Sequence, residues 1–295
     1  MVEVSSKPMS PNPQGALPPA PTLREALTLA AIAGLPVLEA RMLLSHVTGF
    51  TRTQLITRDN DHLDAPKRDA FATLLARRLT GEPMAYLIGE REFFGRTFRV
   101  TPDVLIPRPD TEVAAEASLA RIADVKAPRV LDMGTGSGIL AVTIARERPD
   151  ADVWATDISR GALMVAEDNA RALQAENIRF LVSDWYEDLP VGLCFNLIVS
   201  NPPYIAEGDP HLVEGDLRFE PIDALTDHED GLSDLATIVA GATARLLPGG
   251  WLLMEHGYDQ GAAMRAQLAE AGFVEVFTTR DLAGLERCSG GRLPG

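Results

Sequence analysis

The sequence has little cysteine, no long apolar run and few basic residues. Its two cysteines, Cys194 and Cys288, lack the spacing of a zinc site and are too few for a disulfide framework. No window offers the roughly 20 apolar residues that a membrane-spanning helix needs. The first 21 residues are polar and proline-rich, and they lack the apolar core of a secretory signal. We therefore expect a cytoplasmic protein with no bound metal and no membrane contact.

The shortage of basic residues is concentrated in the second part of the chain. Residues 22–107 carry 11 Lys/Arg and 10 Asp/Glu, a balance of +1, whereas residues 108–295 carry 15 and 31, a balance of −16. Such an acidic segment would repel a phosphate backbone, whose neutralisation normally dominates nucleic-acid affinity. We therefore expect no direct nucleic-acid partner. The same acidity is compatible with a cationic cofactor, and the change of charge near residue 107 indicates a domain boundary.

Composition and periodicity divide the 295 residues into four segments. Residues 1–21 are expected to form a disordered, proline-rich tail. Residues 22–89 predict a small helical domain for substrate docking, which opens with the capping-box pattern Thr22-x-x-Glu25. Residues 90–107 predict a β-hairpin linker, and residues 108–295 predict a larger domain that carries the chemistry.

Strands and helices alternate from residue 129 onward, which is typical of a parallel sheet. The expected strands are 130–133, 153–157, 178–182, 195–200, 251–255 and 274–278, with a last one near Arg287. The expected helices are 112–123, 138–147, 159–173, 232–247 and 259–271. Ligands of such sheets bind beyond the carboxyl ends of the strands. The long stretch between Asn201 and Gly231 has little periodicity, and a loop of that length is usually functional.

A glycine-rich loop, Asp132-Met133-Gly134-Thr135-Gly136-Ser137-Gly138, follows the first of these strands. Glycine lets the backbone turn tightly and approach a ligand closely. Asp157 ends the next strand, where a carboxylate can accept both hydroxyls of a ribose. A dinucleotide site would place a pyrophosphate at this loop, but the acid at its head would repel that group. The pattern therefore favours a nucleoside cofactor without phosphates, and S-adenosylmethionine, which carries a sulfonium cation, fits better.

The tetrapeptide Asn201-Pro202-Pro203-Tyr204 follows the apolar strand 195–200. Two prolines cannot continue a central strand, because each lacks the N–H that the ladder needs. They do supply a rigid backbone with free carbonyl acceptors, and the Asn201 amide adds an acceptor and two donors. Together with the flat ring of Tyr204, this predicts a cradle for a planar group that bears an NH2, either an amide or an adenine. A plain turn from strand to loop is the alternative.

Two further residues fall at a strand end. Asp184 and Trp185 follow the strand 178–182 and are candidates to hold the amine and the ring of an adenine. Simple core packing is the alternative for Trp185.

These motifs resemble the HemK/PrmC family of glutamine methyltransferases, which modify peptide chain release factors. The resemblance covers nearly everything from residue 22 onward, and its most specific parts are the segment from Ile106 to Glu112 and the Asn-Pro-Pro-Tyr tetrapeptide. Further matching segments are 81–83, 93–95, 101–105, 219–221, 230–232 and 255–257. The departures are the long N-terminal extension and the unusually acidic Asp227-His228-Glu229.

The resemblance implies the fold of a class I S-adenosylmethionine-dependent methyltransferase, with a Rossmann-like, mostly parallel seven-stranded sheet and a small N-terminal helical domain joined by a β-hairpin. It implies methyl transfer to the side-chain amide nitrogen of the glutamine in the GGQ motif of class I release factors, which modulates translation termination and leaves S-adenosylhomocysteine. We expect a monomer. The implied cofactor-binding residues are Gly134, Thr135, Gly136, Ser137, Gly138, Asp157, Trp185 and Asn201. The implied substrate residues are Asn201, Pro202, Pro203 and Tyr204, of which Asn201, Pro202 and Tyr204 are expected to be catalytic.

Other functions remain open at this point. A glutamine on a ribosomal protein is an alternative acceptor, and a DNA adenine methyltransferase uses a similar tetrapeptide, although the acidity of residues 108–295 disfavours DNA. A cofactor-binding interaction protein and a nicotinamide dehydrogenase fit the loop and the tetrapeptide less well.

Overall fold

The computed structural model describes residues 17–295 and divides the chain into two compact units, one through Ile88 and one from Gly89. Most of the expected tail, residues 1–16, lies outside the described residues. Residues 17–21 were expected to be disordered, but they make backbone contacts instead. The N–H of Leu63 donates to the carbonyl of Pro21 at 2.8 Å, and the His62 ring lies 2.8 Å from the carbonyl of Ala20.

Five helices form the described part of the first unit, residues 17–88. They are α1 (Leu23–Ile32), α2 (Val37–Thr48), α3 (Arg52–Thr57), α4 (Ala65–Leu79) and α5 (Met84–Ile88). The capping box is confirmed, because the Thr22 hydroxyl accepts from the N–H of Glu25 at 3.2 Å and the Glu25 carboxylate accepts from the N–H of Thr22 at 2.8 Å. The core packs around the fully buried Phe71, Leu43 and Leu44. The sequence did not predict α5.

The second unit begins with an antiparallel hairpin of β1 (Glu90–Phe93) and β2 (Arg96–Arg99). The expected hairpin is confirmed, but it packs inside the second unit and is not an isolated linker. Phe93 and Phe98 are buried in that unit's core with their rings edge to face, 6.1 Å apart. The backbone N–H of Arg99 also donates to the Asn169 side chain at 2.7 Å.

Within the described residues, seven strands form the central sheet in the order β5-β4-β3-β6-β7-β9-β8, and β9 alone runs opposite to the other six. The mostly parallel seven-stranded sheet is therefore confirmed. The strands are β3 (Arg129–Met133), β4 (Asp152–Asp157), β5 (Ile178–Val182), β6 (Phe195–Ser200), β7 (Leu246–Glu255), β8 (Val274–Arg280) and β9 (Glu286–Arg292). The helices are α6 (Glu112–Arg121), α7 (Ile139–Glu147), α8 (Arg160–Ala172), α9 (Ser233–Ala242) and α10 (Gly261–Glu270).

Apolar side chains cover both faces of this sheet. Val130 packs with residues of α6, α7 and α8, whereas its neighbour Leu131 packs with residues of α9 and α10. Successive strand residues point to opposite faces, so the unit has three layers. Across the described residues, no helix combines the length and the apolar character needed to cross a membrane.

The predicted helix corresponding to α9 extended too far at its C-terminal end. The helix was expected to reach residue 247, but it ends at Ala242 because Leu246 already pairs with Phe195 as the first residue of β7. The Leu-Pro-Gly-Gly sequence that follows gives this strand an irregular register. Residues 246 and 247, which helical periodicity assigned to the helix, therefore belong to β7.

The strand order reverses beside β3, and this defines where a ligand can bind. The chain leaves β3 for β4 and β5 on one side and returns to β6 on the other. The ends of β3 and β6 are adjacent, with Met133 paired to Ser200 and the Ser200 hydroxyl donating to the carbonyl of Met133 at 2.7 Å. The glycine-rich loop and the tetrapeptide therefore start side by side at the switch point, where α/β sheets bind ligands.

Candidate active site

A cavity of about 400 Å³ lies beyond the carboxyl ends of the parallel strands. Its wall comes from the loops after β3, β4, β5 and β6, from the segment before α6 and from the long loop before α9. The residues that line it include Asp103, Arg108, Thr111, Asp132, Gly134, Thr135, Gly136, Ser137, Asp157, Ser159, Asp184, Trp185, Asn201, Pro203, Asp223, His228 and Asp234. Within residues 17–295, no cluster of His, Cys, Asp and Glu is arranged to hold a metal ion.

Two glycines of the loop have different roles. Gly136 has φ +55° and lines the cavity, and a Cβ added there would meet no atom within 4 Å, so its open side faces space that a ligand can use. Gly138 has φ +81°, and a Cβ there would lie 3.0 Å from the Cβ of Ala166 on α8. Gly138 therefore permits close packing of α7 against α8, and it is not among the described residues that line the cavity.

Asp157 fastens the glycine-rich loop to the end of β4. One carboxylate oxygen accepts from the N–H of Gly136 at 2.9 Å, and the other accepts from the N–H of Ser159 at 2.8 Å. Burial raises the pKa of Asp157, and these two hydrogen bonds oppose the rise. Since each carboxylate oxygen can accept more than one hydrogen bond, Asp157 retains the capacity to bind hydroxyls of a ligand.

Asp132, the acid at the head of the loop, is buried in the same wall. It accepts from the Thr135 hydroxyl at 2.7 Å and from the N–H of Ala141 at 3.0 Å. Burial raises its pKa to about 7, and the charge of Asp157 adds to the rise. The buried Asp132 and the half-buried Asp157 lie in one wall and make this end of the cavity suited to positive charge. The sequence pattern predicted this preference from the acid at the head of the loop.

Trp185 lies over the glycine-rich loop in a strained backbone conformation. Its φ is +42°, which is uncommon for a non-glycine residue, and a Cβ on Gly134 would be 3.8 Å from its ring. The indole hydrogen-bonds to Asp234 at the start of α9, and burial raises the pKa of that carboxyl. The sequence predicted Trp185 and Asp184 at this wall but missed Asp234, which no local pattern links to them.

The tetrapeptide places its four residues differently. Asn201 and Pro203 line the cavity, whereas Pro202 is buried and does not belong to the lining that the described residues form. Tyr204 is also outside that lining, because its hydroxyl points back to Glu255 at 3.3 Å. Its carbonyl accepts from the side chain of Gln260 at 3.0 Å.

Two residues were missed in the sequence, Thr111 in the cavity wall and Glu220 behind it. Thr111 accepts from the Asn201 side-chain NH2 at 3.3 Å. Glu220, whose side chain is fully buried, accepts from the backbone N–H of Ile106 at 2.9 Å and pairs with Arg108. The signals for them were the segments 106–112 and 219–221, which carried the family resemblance without assigning roles to their residues.

The sheet order and the glycine-rich loop at the switch point define a class I S-adenosylmethionine-dependent methyltransferase fold. The hMettl16 catalytic domain, solved in complex with MAT2A 3'UTR hairpin 1, shares this fold with a TM-score of 0.57 at 15% identity, over 86% of this chain and 90% of that chain. The 16S rRNA methyltransferase RsmC of T. thermophilus, solved with AdoMet and guanosine, has a TM-score of 0.51 at 24% identity, over 69% of this chain and 49% of that chain. Both likenesses concern the fold alone.

Sequence comparison identifies the family within that class. Residues 23–89 match the PrmC N-terminal domain and residues 110–214 match the methyltransferase small domain. The chain is 56% identical to the release factor glutamine methyltransferase of Burkholderia pseudomallei over 93% of this chain and 98% of that relative. For the enzyme of Escherichia coli the identity is 43%, over 92% of this chain and 97% of that relative. The chain belongs to the release factor glutamine methyltransferase family, which confirms the resemblance found in the sequence.

Proposed function

We propose that this protein transfers a methyl group from S-adenosylmethionine to the side-chain amide nitrogen of the glutamine in the GGQ motif of a class I peptide chain release factor. Family membership supports the reaction class. The observation that carries the proposal is the orientation of Asn201 at the switch point. Its NH2 group donates to Thr111, which leaves its carbonyl oxygen as an acceptor for an amide N–H at the cavity wall.

The charges in the cavity suit this cofactor better than a dinucleotide. The buried carboxyl of Asp132 and the half-buried carboxyl of Asp157 line it, and Arg108 is the only lysine or arginine among the described residues of the wall. A pyrophosphate would find little compensation there, whereas a cationic ligand would be favoured. When bound, S-adenosylmethionine supplies an electrophilic methyl group on a sulfonium, and the sulfur leaves as the thioether of S-adenosylhomocysteine. The residues that would hold it are Gly134, Thr135, Gly136, Ser137, Asp157, Trp185 and Asn201, with Gly138 shaping the loop.

The tetrapeptide aligns the substrate amide. An amide nitrogen is a poor nucleophile because its lone pair is delocalised into the carbonyl. The Asn201 side-chain oxygen and the Pro202 carbonyl accept its two N–H groups, which fixes the nitrogen and weakens that conjugation. Although Tyr204 is not among the described residues that line the cavity and its hydroxyl is turned to Glu255, we propose that a face of its ring packs against the bound amide. Alignment of this kind can lower a barrier by about 7–11 kcal/mol at best, so no side chain has to act as a general base before transfer. Once methylated, the nitrogen is strongly acidic and loses one proton to solvent, which leaves the neutral N-methyl amide.

Charge supports a protein as the substrate. The balance of −16 over residues 108–295 disfavours nucleic acid and favours a basic protein surface. The helical unit that matches the PrmC N-terminal domain is the proposed docking module for the release factor. We propose that the protein acts as a monomer.

The test is a methyl-transfer assay with labelled S-adenosylmethionine and separate acceptors. The acceptors are a class I release factor, the same factor with the GGQ glutamine changed to glutamate, a ribosomal protein fraction and double-stranded DNA. We expect label only in the unaltered release factor. Label in the glutamate variant, or label confined to ribosomal protein or DNA, would refute the proposed acceptor.

A further inference from the structure

A buried carboxyl lies directly behind the tetrapeptide. Glu255 is the last residue of β7 and is 1% exposed, and its neighbour Met254 pairs with Ser200, the residue before Asn201. One of its oxygens, Oε1, accepts from the Tyr204 hydroxyl at 3.3 Å. The other, Oε2, has no hydrogen-bond partner among the described residues. A buried acid with unused acceptor capacity costs stability, so packing alone does not account for it.

Thr111 connects this carboxyl to Asn201. Its side chain is fully buried just before α6. Its hydroxyl oxygen accepts from the Asn201 NH2 group at 3.3 Å. Burial raises the pKa of Glu255 to about 7, and hydrogen bonding from the Thr111 hydroxyl opposes that rise. One hydroxyl therefore lies between the carboxyl and the amide that faces the cavity.

The hydrogen-bonding capacities of these groups fix their order. Above the raised pKa of about 7 the Glu255 carboxyl is ionised and can only accept, so the hydroxyl hydrogen of Thr111 then points to Glu255. The hydroxyl oxygen is then left as an acceptor, and only the NH2 side of Asn201 can donate to it. A flipped Asn201 would place two acceptors against each other. The amide of Asn201 is thus held with its oxygen turned away from Thr111.

We propose that Glu255 and Thr111 are positioning residues that set the orientation of the Asn201 amide and hold the ring of Tyr204, and so present the acceptor for the substrate glutamine. The inference rests on the proposed function, because it assigns roles to residues that lie behind the substrate-binding residues of that site. The backbone of the tetrapeptide is held separately, since Gln260 donates to the carbonyls of Tyr204 and Gly231, both at 3.0 Å. Loss of the Glu255 charge should therefore disturb side-chain orientation more than the backbone.

The kinetic test compares Thr111→Val, Thr111→Ser and Glu255→Gln in the full-length protein. Valine matches the shape of threonine without the hydroxyl, and we expect kcat for release factor methylation to fall about 10- to 100-fold, as for a buried group left unsatisfied. KM for the release factor should change less than threefold or so. Thr111→Ser should restore most of the loss, and Glu255→Gln should lower kcat without lowering the Tm. Wild-type kcat in Thr111→Val, or equal losses in the valine and serine variants, overturns the proposal.

A second measurement does not depend on the substrate. In protein labelled with ¹⁵N-asparagine, hydrogen exchange of the Asn201 side-chain NH2 reports its bond to Thr111, with Asn201→Ala for assignment and the exposed Asn60 as the internal reference. We expect slow exchange in the wild type and exchange close to that of Asn60 in Thr111→Val. Fast exchange in the wild type, or no change in the variant, overturns the proposal. If the wild type does not methylate release factor, the proposed function fails while this measurement still decides the role of Thr111.

Discussion

The buried carboxyl of Asp132 should make cofactor binding depend on pH near neutrality. Burial raises its pKa from 3.8 to about 7, and the charge of Asp157 adds to this, whereas hydrogen bonds from Thr135 and Ala141 oppose it. Desolvation disfavours the charged form, and a cation in the cavity favours it. Binding of S-adenosylmethionine should therefore expel the proton from Asp132.

The size of the pH effect on Kd follows from the pKa of Asp132 in the protein without bound cofactor. If the cofactor binds only to the form with ionised Asp132, the apparent Kd is the intrinsic Kd divided by the ionised fraction. With a pKa of about 7, that division raises Kd about 11-fold at pH 6 and about 1.1-fold at pH 8. The affinity should therefore rise about tenfold between these two pH values.

The same carboxyl should lower the free energy of unfolding as the pH rises, whereas it raises the affinity for the cofactor. Its pKa is raised in the folded state, so the fold binds more protons than the unfolded chain between about pH 4 and pH 7. Its contribution to stability is fully present below about pH 4 and is lost as the pH rises through about 7. The rise from 3.8 to about 7 corresponds to about 4 kcal/mol. Asp132→Asn keeps an acceptor for Thr135 and Ala141, so it should raise the free energy of unfolding above pH 7 by up to that amount.

Calorimetric titration from about pH 6 to pH 8 tests this reasoning. The wild type should show the tenfold rise in affinity for S-adenosylmethionine, and Asp132→Asn should bind more weakly and lack that rise. The asparagine variant is the matched control, because titration of the cofactor's own amino group affects both proteins. A flat wild-type profile, or an unchanged slope in Asp132→Asn, would refute the assignment of the proton to Asp132.

Two further predictions concern the tetrapeptide and the glycine-rich loop. Asn201→Ala should abolish turnover and change cofactor affinity much less, which steady-state kinetics and calorimetry can measure; turnover near the wild-type level contradicts the cradle. Gly138→Ala should lower the free energy of unfolding by about 1–3 kcal/mol, because the new Cβ at φ +81° would press on Ala166. Gly136→Ala, in open space at φ +55°, should cost about 1 kcal/mol and chiefly weaken cofactor binding. Equal stability losses for the two glycines would contradict their separate roles.

Sequence periodicity predicted the elements whose signals are local. The strands β5 and β6 have the predicted bounds, and the capping box at Thr22 and the hairpin about Gly95 are confirmed. These elements follow from alternation, turn chemistry and capping within a few residues. The end of α9 was misplaced because a sheet partner, Phe195, determines where β7 begins.

The parts of the site that sequence reasoning missed depend on contacts between distant residues. Thr111 and Asn201 are 90 positions apart, and Tyr204 and Glu255 are 51 apart. Such pairs are set by how the layers pack, which one sequence does not reveal. The cavity-lining residues of the glycine-rich loop and the tetrapeptide could be predicted, because each group follows the carboxyl end of a strand. The residues behind them lie on other elements and carry no local pattern.

The carboxyl of Glu220 has a consequence for engineering this protein. Because it binds both the N–H of Ile106 and the guanidinium of Arg108, the long loop and the segment before α6 share one anchor. If the loop alone were exchanged for that of a relative, either the buried Glu220 or Arg108 could be left without its counterion. The two segments therefore form a single exchangeable module, and chimeras designed to change acceptor preference should carry both.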